Sequence, residues 1–173
     1  MPAQSLLQAC RAAGAYTDCY VTDVDAVVTQ QAFVEAFYTT ALFKVERCLL
    51  KLMVARPSTD AEAAKLARGQ VELFAAWRVE ARSESQLLLA DMSGRTKSWL
   101  MAAPVSHEAS PGQTPQTRLY FGSAVVPASA AGNSGLRMGF VFHSLLGFHR
   151  LYSRLLLGVA RSRVLRAQTS RSA

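Results

Sequence analysis

The chain has 173 residues, of which 50% are apolar and 18% are charged, and its net charge at neutral pH is +7. This length predicts one domain with a single core, and the charged fraction lies below the ~25% typical of soluble domains. Its three cysteines, Cys10, Cys19 and Cys48, show no metal-ligand spacing, which argues against a disulfide framework or a zinc site and predicts a reduced, cytoplasmic protein.

The first half of the chain predicts one strand and then helices. Tyr16–Val24 alternates in the manner of a strand. Residues 28–54 have helical spacing, with Thr29 as the expected N-cap and a break at residues 39–40. Ser58-Thr59-Asp60 opens a short helix that runs to about Arg68 and is closed by Gly69.

The middle of the chain predicts four strands, at residues 74–82, 86–91, 96–103 and 117–126. The first three are joined by short polar connections, which favour an antiparallel meander. The connections at 104–116 and 127–135 are rich in Pro, Ser and Gly, and both are expected to be surface loops.

The last segment predicts a long amphipathic helix. Apolar residues recur with 3-4-3-4 spacing along a stripe that is expected to face the core, and a second strip that includes Leu156 and Ala160 widens it. The stripe consists of Met138, Val141, Leu145, Phe148, Tyr152, Leu155 and Val159. Arg150 and Arg154 lie near the middle of residues 138–160, where each would cost about 2.5–3.5 kcal/mol in a bilayer, so we do not expect a membrane span. The start of the chain also lacks the pattern of a secretory signal.

The positive charge is concentrated at this end of the chain. Residues 109–173 contain 8 arginines and neither lysine nor acid, whereas residues 1–108 carry a net charge of −1. The candidate anion-contacting residues are Arg150, Arg154, Arg161, Arg163 and Arg166. A solvated helix face with a basic tail is the simplest interpretation, and an anionic membrane surface is the favoured partner. Nucleic acid is disfavoured because the aromatic residues fall on the apolar stripe instead of among the arginines.

The order of one strand, two helices, antiparallel strands and a long final helix resembles the helix-grip fold of the START-like and birch-pollen-allergen-like (SRPBCC) superfamily. The segments Ala75–Val79, Ser98–Met101 and Thr117–Phe121 make it similar to small uncharacterised bacterial members. The resemblance implies an α+β fold in which a curved antiparallel sheet wraps the final helix. The domain is then expected over residues 15–162, with an N-terminal extension at 1–14 and a basic tail at 163–173.

The resemblance further implies a cavity that binds a hydrophobic or amphiphilic, lipid-like molecule. The cysteines predict a cytoplasmic protein, and the C-terminal arginines would allow it to dock peripherally on the inner membrane. Candidate cavity residues are Tyr20, Trp77, Trp99, Tyr120, Phe148, His149 and Tyr152. The sequence contains neither a nucleophile elbow nor metal-ligand spacing, so we predict no catalytic residues, metal or cofactor. Two alternatives stay open: a cyclase or dehydratase that uses Tyr or His in the same cavity, and a homodimer formed through the final helix.

Overall fold

The computed structural model describes residues 1–44, 58–105, 114–126 and 138–172, with the side chains of the final helix described over 151–168. Several predictions therefore lie outside the described residues. They are the helix beyond residue 44, most of the loop at 104–116, the loop at 127–135, and the inward-facing roles of Phe148 and His149.

The described part of the chain forms helices and one sheet in the predicted order. The helices are α1 (Gln8–Ala12), α2 (Gln30–Tyr38), α3 (Asp60–Ala67) and α4 (Met138–Ser172). The strands are β1 (Tyr16–Val24), β2 (Leu73–Phe74), β3 (Trp77–Arg82), β4 (Gln86–Asp91), β5 (Thr96–Pro104) and β6 (Thr117–Val125). The α+β prediction is confirmed.

The six strands form one curved, unclosed antiparallel sheet in the order β1-β6-β5-β4-β3-β2. Strands β2 to β6 follow one another as a meander, and β1 then pairs with β6 along its whole length, from Tyr16↔Val125 to Val24↔Thr117. Strand β1 is consequently an edge strand, and α4 packs beside it and against α2.

The helix starts are fixed by the side chains that the sequence indicated. The Thr29 hydroxyl accepts a hydrogen bond from the Ala32 amide, and α2 ends at the predicted break. Thr59 and Glu62 form a reciprocal capping box at the start of α3, and Gly69 follows α3 with a φ of +72°. These caps satisfy backbone groups that the helix ends would otherwise leave without partners.

The number of strands differs from the prediction of five. The run predicted over 74–82 is divided by a two-residue turn at Ala75 and Ala76, which pairs Phe74 with Trp77. Ala75 takes a φ of +52°, a conformation in which glycine or asparagine is the usual residue. The Ala-Ala sequence therefore carries none of the usual turn signature, and strand β2 could not be recognised.

Each face of the sheet carries an apolar cluster. The helix-side cluster joins the sheet to α2, α3 and α4, with Phe33, Phe37, Leu100 and Leu156 among its members. The outer cluster joins the opposite face to the N-terminal segment, through residues that include Leu7 and Trp99, both fully buried. Residues 1–14 therefore pack on the sheet.

Helix α4 buries only part of the predicted apolar face. Leu155 and Val159 of the predicted stripe are 53% and 41% exposed. The buried positions are Ser153, Leu156, Leu157, Ala160 and Val164. Apolar residues occupy two adjacent strips of α4, and packing against β1 and α2 covers only the strip that contains Leu156 and Ala160. The helix also continues through residues 163–172.

Candidate functional site

An open cleft lies between the edge strand β1 and helix α4. Its volume is about 430 Å³, and we call it the β1–α4 cleft. It is lined by Cys19, Tyr20, Val21 and Thr22 of β1 and by Arg154, Leu157 and Gly158 of α4. Because β1 is an edge strand, no other strand of the described chain pairs with its free edge.

The cleft combines polar and apolar surface, with a cation on one wall. Val21 is 55% exposed, Leu157 is buried, and Gly158 leaves its position open, with no described atom within 4 Å of where a Cβ would stand. Arg154 is exposed on the same wall as Gly158. A guanidinium beside apolar surface suits an amphiphile whose head is a carboxylate or a phosphate.

Two hydrogen bonds hold α4 in position beside the cleft. The Arg161 Nε donates to the Asp23 carbonyl oxygen at 2.9 Å, near the end of β1. The Gln168 side chain donates to the Val27 carbonyl oxygen, also at 2.9 Å, so the helix runs along β1 and past its end. These bonds position Arg154 and Leu157 opposite residues 19–22.

A row of polar side chains crosses the helix side of the sheet next to the cleft. Asp18 accepts hydrogen bonds from Tyr20 Oη at 3.1 Å and from Ser123 Oγ at 2.7 Å. Ser123 pairs in register with Ser98, whose hydroxyl lies 3.3 Å from the Tyr38 hydroxyl. We call these five residues the inner polar row. A polar row within a mainly apolar face can orient a ligand group or satisfy buried polar atoms.

Sequence reasoning found part of this row. Asp18 and Tyr20 are two residues apart in the predicted strand Tyr16–Val24, so the alternation of a strand places them on one face, as the structure shows. The two serines and Tyr38 were missed because they are joined only by the sheet register and by the packing of α2. Their signal was the presence of small polar residues at matching positions of two otherwise apolar strands.

Cys19 borders the cleft, and its side chain packs against the outer cluster on the opposite face of the sheet. Burial raises the pKa of the Cys19 thiol above its ordinary value. The thiol form therefore predominates at neutral pH, which makes Cys19 a weak nucleophile there.

The predicted cavity residues are divided between the two sides of the sheet. Tyr20, Trp77 and Tyr152 pack against the helix-side cluster. Trp99 belongs to the outer cluster, and Tyr120 packs against it with ring centroids 6.0 Å apart. Among the members of this set whose side chains the structure describes, only Tyr20 lines the β1–α4 cleft.

The predicted anion-contacting arginines take several different positions. Arg154 lines the β1–α4 cleft, and Arg161 bonds to the Asp23 carbonyl oxygen. Arg163 lines a second groove of about 230 Å³ between α2 and α4, which also contains Glu35. Arg166 is exposed, and the side chain of Arg150 is outside the described residues.

Two further kinds of site, a metal centre and a membrane-spanning helix, are not found among the described residues. In the described parts of the chain, no group of three or more His, Cys, Asp or Glu residues could hold a metal ion. No helix among the described residues is long and apolar enough to cross a membrane. Comparison with protein-family models and with curated proteins finds no match to this chain.

Proposed function

We propose that this protein binds a hydrophobic or amphiphilic small molecule with an anionic head in the β1–α4 cleft. The observation that supports this most directly is the composition of the cleft: Tyr20 and Leu157 facing each other, open space at Gly158, and the guanidinium of Arg154 on one wall. Its volume of about 430 Å³ is comparable to that of known small-molecule sites, which are about 300–1,000 Å³.

The chemistry of binding follows from these residues. The apolar tail would replace water against Tyr20 and Leu157, and each buried methylene contributes roughly 0.8 kcal/mol. Arg154 would receive the carboxylate or phosphate as a charge-assisted pair, in which a planar guanidinium can donate two parallel hydrogen bonds. Release of tail and head together would leave the cleft hydrated and Arg154 solvated.

We also propose that the chain is a member of the START-like (SRPBCC) superfamily. The support is the six-stranded antiparallel sheet, the two helical pieces after β1 and the final helix packed against the sheet. Ligand binding between sheet and final helix is the behaviour that this assignment implies. The proposed function rests on the cleft itself and does not require the assignment.

A titration with a fluorescently labelled long-chain fatty acid tests the proposed function. Gly158→Leu places a side chain on the cleft wall, at a position whose Cβ would meet no described atom within 4 Å. It is therefore expected to abolish saturable binding while the fold is retained. Arg154→Gln should weaken binding of the acid but leave binding of the matching alcohol unchanged.

Ser162→Leu is the matched control. It adds the same side chain to the same helix one turn later, at an exposed position that does not line the cleft. If Gly158→Leu binds the fatty acid as the unaltered protein does, and loses binding only when it unfolds, the ligand does not lie in the β1–α4 cleft.

The inner polar row favours one alternative, an enzyme of the cyclase or dehydratase kind. Its support is the pairing of the Tyr20 phenol with the Asp18 carboxylate, which could hold or transfer a proton beside the cleft. Tyr120 cannot join Tyr20 in such a site from the outer face of the sheet. Turnover of a polyketide-like substrate that Tyr20→Phe abolishes, with ligand binding retained, would favour the enzyme over the binding protein.

A further inference from the structure

The outer face of α4 carries an apolar strip that the described fold leaves uncovered. Leu151, Leu155 and Val159 are spaced four residues apart, which places them along one side of the helix. Their exposed fractions are 60%, 53% and 41%. We call these three residues the outer strip.

Cations stand beside the outer strip. Arg154 precedes Leu155 directly and is exposed, and Arg166 lies two turns beyond Val159 on the same side of the helix. The segment 109–173, to which the whole helix belongs, contains no Asp or Glu. The surface is therefore apolar along its centre and positively charged beside it.

We propose that the outer strip docks on an anionic phospholipid bilayer, with α4 lying in the plane of the interface. An interfacial helix inserts apolar side chains at the boundary between headgroups and acyl chains, while its basic residues pair with lipid phosphates. The strip and Arg154 provide both kinds of contact on one exposed side of one helix. The outer strip lies on the opposite side of α4 from Leu157, so its apolar contacts are separate from the ligand site, while Arg154 borders both surfaces.

A second copy of the chain fits this surface less well. Symmetric pairing of two outer strips about Leu155 would bring the Arg154 side chains of both copies close together, with no acid on α4 to neutralise them. Nucleic acid would use the arginines but gain nothing from three exposed aliphatic side chains. Charge and apolar surface together thus favour the bilayer.

The docked orientation would bring the β1–α4 cleft close to the lipid. Arg154 and Gly158 line the cleft and alternate along the helix with Leu155 and Val159 of the strip. A bound bilayer would therefore meet the mouth of the cleft, where an amphiphile could pass between protein and membrane.

Co-sedimentation with vesicles tests the docking. Vesicles of phosphatidylcholine with phosphatidylglycerol are compared with vesicles of phosphatidylcholine alone, at low and high salt. We expect binding to the anionic vesicles only, weakened by salt because exposed charges are screened. The double variant Leu151→Gln/Leu155→Gln should lower the partition coefficient at least about tenfold, and Arg166→Gln should lower it about fivefold.

Matched controls come from the turn between β4 and β5. Met92 is 59% exposed and Arg95 is exposed, so Met92→Gln and Arg95→Gln remove an exposed apolar side chain and an exposed cation away from α4. Both should bind vesicles as the unaltered protein does. Thermal melting of every variant checks that the fold is retained.

Three results would overturn the proposal. They are equal binding to neutral and anionic vesicles, no binding to either, and unchanged binding by the double leucine variant. A dimer in sedimentation that Leu155→Gln dissociates, without vesicle binding, would assign the strip to a second copy instead. Fatty-acid titration of the same leucine variants separates the two proposals, because the β1–α4 cleft stays intact in them.

Discussion

Substitution of Gln86 tests how the N-terminal segment is held to the sheet. The side chain of Gln86 is buried and makes three hydrogen bonds between parts of the chain that are distant in sequence. Its Oε1 accepts from the Leu6 amide at 2.8 Å and from Trp99 Nε1 at 2.9 Å. Its Nε2 donates to the Gln4 carbonyl oxygen at 3.1 Å.

The change Gln86→Ala removes all three bonds at once. Each is expected to contribute about 1 kcal/mol, so the free energy of unfolding should fall by about 3 kcal/mol. The Trp99 indole N–H would be left without a partner in a side chain that is 0% exposed, which adds to the loss. Urea unfolding followed by tryptophan fluorescence measures the change.

The control is Gln70→Ala. Gln70 is exposed, and its side chain accepts one bond from Arg68 Nε at 3.2 Å. Its loss should change the free energy of unfolding by no more than about 0.5 kcal/mol. If Gln86→Ala were as stable as Gln70→Ala, the packing of residues 1–14 on the outer face would be refuted.

Three further predictions concern other parts of the molecule. Gly122→Ala should destabilise the fold by about 1–3 kcal/mol, since its Cβ would stand 2.8 Å from the Asp18 carbonyl oxygen. Gly158→Ala meets open space and should stabilise α4 by about 1 kcal/mol, and urea unfolding compares the two variants. Partial burial raises the pKa of Asp91, but hydrogen bonds from Ser93 and from backbone amides outweigh this and lower the pKa overall. The contribution of Asp91 to stability is therefore present above about pH 4 and is lost as the pH falls further. The stability difference between Asp91→Asn and the unaltered protein should therefore shrink from pH 7 to pH 3, and a constant difference would contradict the assignment. Alkylation of Cys19, followed by peptide mass spectrometry, should be slow at pH 7 and accelerate only above the ordinary thiol pKa; rapid labelling at pH 7 would contradict its burial.

Local signals in the sequence predicted much of the fold correctly. Thr29 and Thr59 cap helices where their position before an apolar run indicated, and β4 has the predicted bounds of Gln86–Asp91. These features depend on interactions within a few residues, which a single sequence displays directly. The order of elements that favoured a helix-grip arrangement follows from them.

The face that α4 buries could not be predicted in the same way. Leu155 and Leu156 are adjacent leucines on neighbouring strips, and either strip could satisfy the helical period. Which strip is covered depends on where β1 and α2 lie, and the sequence does not show this. The structure leaves Leu155 of the main predicted stripe 53% exposed, whereas Leu156 is 2% exposed. The β1–α4 cleft depends on the same placement and was therefore only partly predicted, through Tyr20 and Arg154.

Native mass spectrometry of the protein as purified from cells tests the central claim most directly. The account predicts an excess mass equal to one amphiphile per chain, recoverable by organic extraction, and its absence from Gly158→Leu purified in parallel. A bare polypeptide mass for the unaltered protein, under conditions that preserve non-covalent complexes and with no lipid in the extract, would contradict the claim that the β1–α4 cleft holds such a ligand.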